Sequence, residues 1–350
     1  MIRSLAILAC LLTVCITGAS AFIRHAQAGL GCDGRPGCLQ QTADASPGTA
    51  ATRASAAAGT ARDSEPGPSV DSPPVSTNPS RAVVVARMLH RVSASVVGLL
   101  AIGLLVFGWN GLPRSGRVAA IAALLISAFL AWLGRFTPHP LPWVTLGNVG
   151  GGFALIAAFA CVAACRAEDL AWTSGRPRPA GLAIVAGALL AVLLWLGLMI
   201  GARDAIAACP SLLCLDGARF DVSAFDPALA QANASQGSGQ ALHLAHRFVA
   251  LAFVLVVAML VRRAWLGGRR ALAAVLAAML AAQIALGLTT AVGGEQSVSA
   301  TLHNVIAALW AALLATLAMQ SSIGGAAIAL SAVDQRNHAH HDQDQAHQAQ

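Results

Sequence analysis

The sequence predicts an all-α polytopic membrane protein, with eight transmembrane helices forming two pseudo-repeated four-helix bundles. Three observations carry this reading. Of 350 residues, 57% are hydrophobic and 11% charged, with mean hydropathy +0.67, a balance foreign to ordinary soluble domains. Eight apolar stretches are long enough to cross a bilayer, which takes about 20 helical residues. The dipeptide His-Arg also occurs twice at matching depth, as His90-Arg91 and His246-Arg247, and such self-similarity dictates architecture.

The spans are expected near 3–22, 83–108, 117–134, 143–165, 180–201, 240–261, 271–291 and 299–320. The first lies between Arg3 and Arg24-His25. With Ala19-Ser20-Ala21 it also resembles a signal peptide, but removing it would leave seven spans and break the duplicated plan. The second follows a polar segment and carries His90-Arg91. The third follows Arg114 and ends in Leu133-Gly134-Arg135-Phe136-Thr137, and the fourth carries Asn148. The fifth leads into Ala202-Arg203-Asp204-Ala205, as the first leads into Arg24-His25-Ala26. The sixth carries His243 and His246-Arg247 and stops at Arg262-Arg263. The seventh follows Arg269-Arg270 and carries Leu286-Gly287-Leu288-Thr289-Thr290, the counterpart of the third. The eighth carries His303.

The formal charge of +7 does not gather into one basic face, so it does not suggest nucleic acid. The arginines sit in short loops on alternate sides: Arg3, then Arg114 and Arg117, then Arg166, Arg176 and Arg178, then Arg262, Arg263, Arg269 and Arg270. The positive-inside rule makes that side cytoplasmic and places both termini there. A bacterial inner membrane is the expected location. The organisation expected is an N-terminal half, 1–179, containing a disordered extracytoplasmic insert at 41–81; a C-terminal half, 180–321; and a disordered tail, 322–350. The tail carries His338, His340, His341 and His347. Such a tract binds metal weakly or is simply solvated.

Asn148 follows His90 by fifty-eight residues, and His303 follows His246 by fifty-seven. All four begin about a quarter to a third of the way into their spans, at 1.5 Å per residue. Imidazoles inside a membrane are costly and therefore point to something they bind. A metalloporphyrin held by histidines from two helices fits, with His246 and His303 as the stronger pair and His90 a third iron ligand. An interhelical hydrogen bond is the bland alternative for each. Arg91 and Arg247 can neutralise porphyrin carboxylates or snorkel. His243 can contact a carboxylate or sit at the interface.

Cys10, Cys15, Cys161 and Cys165 fall within spans and read as small apolar residues. Cys32 with Cys38, and Cys209 with Cys214, form close pairs in the outer loops. Disulfides are expected there in an oxidising compartment, with zinc as the competing reading.

Taken together, these residues resemble the haem A synthase family of the CtaA type, a cytochrome oxidase assembly family. The resemblance rests on Ala28-Gly29-Leu30-Gly31-Cys32 with Pro36-Gly37-Cys38, on both His-Arg dipeptides, and on Leu302-His303. It covers about 23–40, 86–160 and 195–320. It implies a haem b held by His246 and His303 in the C-terminal half. It further implies a substrate, haem O, in the N-terminal half, whose methyl group is oxidised to the formyl group of haem A. Haem O synthase and the terminal oxidase assembly machinery would be the partners, with membrane lipid around the chain and a homo-oligomer possible. The sequence departs from the family at two positions expected to be catalytic beside His90. Arg87 stands where a glutamate is usual, and Asn148 where a second histidine is usual. The alternative reading is therefore a non-catalytic haem-binding assembly factor or haem carrier of the same fold. An unrelated electron-transfer protein and a transporter rank below both.

Overall fold

A computed structural model of the chain describes residues 1–26, 81–136, 142–165, 180–202, 209, 225–226, 236–292 and 298–320. Within them lie eight helices long and apolar enough to cross a membrane. They are α1 (Ile2–Ala26), α2 (Arg81–Gly108), α3 (Arg114–Leu133), α4 (Pro142–Ala164), α5 (Ala180–Ala202), α6 (Gln236–Leu266) and α7 (Arg270–Val292), then α8 (Val298–Gln320). No strand occurs among the described residues. The expected spans are met within a few residues, except that α6 extends past 240–261 at both ends. Most of the expected insert, the tail, Cys32, Cys38 and Cys214 lie outside the described residues.

In the first half, α1 packs against α2 and α4, α2 against α3, and α3 against α4. This ring encloses a core of Ala6, Val97, Leu104, Leu155, Phe159 and Val162. The α3–α4 contact is close because glycine makes room for it. A Cβ at Gly147 would come within 2.5 Å of Leu133, and one at Gly151 within 2.6 Å of Leu130. Small residues four apart are how membrane helices approach when lipid removes any hydrophobic drive between them.

In the second half, α5 packs on α6 and α6 on α7. The α8 residue Trp310, fully buried, meets Phe253 of α6 edge-to-face at 5.5 Å. The halves share apolar packing, since Val14, Val149, Phe153 and Ile156 of α1 and α4 join one core with residues of α5 to α8. The first span is thus an integral helix of the bundle.

The outer faces are apolar, as lipid requires. Phe248, Leu251, Leu255 and Met259 run down one exposed side of α6. Two buried hydroxyls are satisfied within their own helix: Thr13 and Thr17 donate to the Ala9 and Thr13 carbonyls at 2.7 and 2.9 Å. Tryptophan marks the membrane boundary. At the α2–α3 turn Arg117 lies over Trp109, and at the α6–α7 turn Arg270 lies over Trp265, both at 5.6 Å from the ring centroid. The matching turns carry matching pairs, which supports the duplicated plan.

Candidate functional site

The structure brings His246 of α6 and His303 of α8 within electrostatic reach of each other. Each ring also sits opposite a glycine on the helix before its own. A Cβ built at Gly197 of α5 would lie 3.7 Å from Cε1 of His246 and 4.0 Å from its Nδ1. One built at Gly287 of α7 would lie 3.3 Å from Cε1 of His303 and 3.6 Å from its Nδ1. One helical turn before each glycine, the backbone of Leu193 interacts with His246 and that of Gln283 with His303. The side chain of Gln283 adds a second partner for His303. Its Nε2 lies 3.2 Å from Nδ1 and 3.0 Å from Nε2 of the ring.

These sites leave polar atoms unmet. Nδ1 of His246 and Oε1 of Gln283 are buried without a hydrogen-bond partner, an arrangement costing about 1–3 kcal/mol each. Each of these imidazoles thus sits in a glycine notch, with an orphaned buried polar atom at or beside it. Among the described residues no three of His, Cys, Asp and Glu gather to hold a bare metal ion.

The environment is cationic. Arg247 and His243 act on His246 electrostatically, and Arg24 and Arg91 act on His90. Asp226 is the single carboxylate side chain among the described residues, so none of the eight spans carries one. Arg24, half-buried near the C-terminal end of α1, donates to the Ser20 hydroxyl at 2.7 Å. Its neighbour His25 is within reach of His303, and Nε2 of His25 is buried without a partner.

The first half is arranged differently. His90 is half-buried, whereas Arg87 and Arg91 lie exposed on the outward face of α2 with Val84, Met88 and Val92. The arginine that α1 contributes near His90 is thus the inward counterpart of the outward Arg91. Asn148 is half-buried between the close-packed Gly147 and Gly151, and no hydrogen bond links it to His90. Gly18 is six residues before Arg24, as Gly197 is before Arg203. A Cβ there would meet not an imidazole but Val305 of α8, at 3.0 Å. A Cβ built at Gly134, the counterpart of Gly287, would meet nothing within 4 Å.

Cys209 is buried and disulfide-bonded, and its sulfur partner lies outside the described residues. Cys10, Cys15, Cys161 and Cys165 are free thiols. Cys10 and Cys161 each lie 3.8 Å from a carbonyl on another helix, at Ile156 and Ala315.

Sequence reasoning missed Gln283, Gly197 and Gly287, and did not assign Arg24 or His25 to a site. A signal existed for two of them. Gly287 lies in the repeated Leu-Gly segment, and Gln283 is a lone amide in an otherwise apolar span.

One family model, COX15-CtaA, described as cytochrome oxidase assembly protein, matches residues 3–318. No curated protein matches the chain.

Proposed function

We propose that this chain, which belongs to the COX15-CtaA family of cytochrome oxidase assembly proteins, holds a haem b between α6 and α8 and acts as a haem A synthase. The reaction assigned is oxidation of the methyl group of a substrate, haem O, to the formyl group of haem A. The observation that carries the reading is the pair His246 and His303, within electrostatic reach of each other, each ring set against a glycine. When bound, the haem supplies one-electron redox chemistry to a site that has none of its own.

The protein's part is binding and orientation. Gly197 and Gly287 leave space for the rings, and the adjoining backbone and amide groups restrict how each ring turns. His90 is assigned to the substrate iron. Arg24, beside His90 and opposed by no carboxylate on any span, is suited to the acidic side chains of a porphyrin. Both imidazoles are half-buried within the bundle. A bacterial inner membrane with both termini cytoplasmic, haem O synthase and the oxidase assembly machinery as partners, and an outer-loop Cys32–Cys38 disulfide belong to the same proposal.

A second reading has its own support. No span carries a carboxylate, Arg87 faces outward, and Asn148 makes no bond to His90. General acid–base help beside the reacting methyl therefore has no carboxylate to supply it from the spans. This favours a carrier or assembly factor that binds haem without turnover. Co-expression with a haem O synthase in a host lacking haem A synthase separates the two. Haem A in the extracted pigment supports the enzyme. Haem O without haem A, with haem b present, establishes the carrier.

A further inference from the structure

We propose that the exposed face at the start of α2 binds an anionic phospholipid, whose headgroup phosphate is held by the guanidinium groups of Arg87 and Arg91. The two arginines stand four residues apart, so their side chains are neighbours along one side of the helix. Both are exposed, and with Val84, Met88 and Val92 they line one groove. The helix turns a different face to the bundle, where Val97, Ala101 and Leu104 are buried in the core of the first half.

Depth in the membrane follows from helix geometry. The 28 residues of α2 make about 42 Å of helix at 1.5 Å per residue, close to the thickness of a bilayer with its headgroups. Counted from Arg81, Arg87 and Arg91 lie about 9 and 15 Å along it. Both Cα atoms therefore lie below the headgroup layer, Arg87 nearer to it. Cα–Cβ bonds tilt toward the N-terminus of a helix, so both side chains lean back toward the headgroups at the end where α2 starts. That is the direction in which arginines snorkel. Beyond the arginines the same face runs on as exposed Leu99, Ile102 and Val106, an apolar track for an acyl chain.

Charge selects the occupant. Two guanidinium groups at this spacing repel, and none of the eight spans carries a carboxylate side chain to relieve them. A second copy of this chain, docking through its spans, would bring no carboxylate either. A phospholipid brings a phosphate at the right depth, and arginine takes phosphate through paired N–H donors. Anionic headgroups are favoured over zwitterionic ones, which carry a cation of their own beside the phosphate.

The test uses the full-length protein reconstituted into vesicles of mixed phosphatidylglycerol and phosphatidylcholine. A photoreactive analogue of one lipid or the other, with a diazirine on an acyl chain, is added, and labelled peptides are mapped by mass spectrometry. In wild type the phosphatidylglycerol analogue should label the α2 face well above the phosphatidylcholine analogue. The exposed face of α7, which has no arginine beyond Arg270, is the reference and should show no such excess. Arg87→Gln or Arg91→Gln alone should lower the excess about fivefold, the scale of one basic side chain at an anionic membrane surface. The double variant should abolish it. Equal labelling by both lipids in wild type, or an undiminished excess in the double variant, would overturn the proposal. If the double variant fails to fold, an undiminished excess in both single variants overturns it equally. An α2 face labelled by neither lipid and cross-linked to another polypeptide would overturn it in favour of a protein partner.

Discussion

Gly287 of α7 leaves open the space beside the His303 ring of α8, since a Cβ there would come within 3.3 Å of Cε1. Gly197 does the same for His246 with more room, at 3.7 Å. The difference predicts a graded response. Gly197→Ala should keep haem b near the wild-type level. Gly287→Val, whose branched side chain enters the ring's volume, should lose most of it. Haem b per protein, measured on purified samples, checks the order, and the reverse order would contradict the packing.

Arg24 and Arg91 both act on His90, Arg24 half-buried on the neighbouring α1 and Arg91 exposed on α2 itself. Arg24→Gln is therefore expected to lower retention of haem O severalfold, and Arg91→Gln to change it little. Pigment analysis after co-expression with a haem O synthase measures both. Equal losses would show that burial does not decide which arginine meets the porphyrin.

Trp310 is fully buried and stacks edge-to-face on Phe253 at 5.5 Å. Trp310→Ala should destabilise the second half by about 3 kcal/mol, the scale of deleting a large core aromatic. A lowered thermal midpoint in detergent, with haem loss following unfolding, is the expected result.

Cys209 is disulfide-bonded, and the proposed partner is Cys214, five residues on. Peptide mass spectrometry without reduction should find the Cys209–Cys214 bridge, and Cys32–Cys38 beside it. Free Cys214 and a Cys209 bridge to another residue would contradict the pairing.

Much of the fold was legible because membrane burial writes long apolar runs into the chain, and arginines end them. Helix ends were less so: α6 begins at Gln236 and reaches Leu266, since polar Ser238 and Gln240 and the Arg262-Arg263 pair continue the helix beyond the apolar run. At the site, His246 and His303 stood out as costly residues at matched depth. Gln283 did not, because one amide in a span has no pattern until a facing helix supplies its partner. Arg91 was read from its place beside His90, and Arg87 from the resemblance, in which a glutamate is usual at that position. Arg91, one residue on, does not share the face of His90, whereas Arg87, three before, is its neighbour in helical spacing; the structure leaves both arginines exposed.

The central claim is that His246 and His303 together hold haem b, and visible spectroscopy of purified His246→Ala and His303→Ala proteins tests it most directly. Each substitution should abolish the low-spin haem b spectrum and remove most of the bound pigment, while the protein remains folded and monodisperse. A wild-type low-spin spectrum in folded His303→Ala would contradict the account.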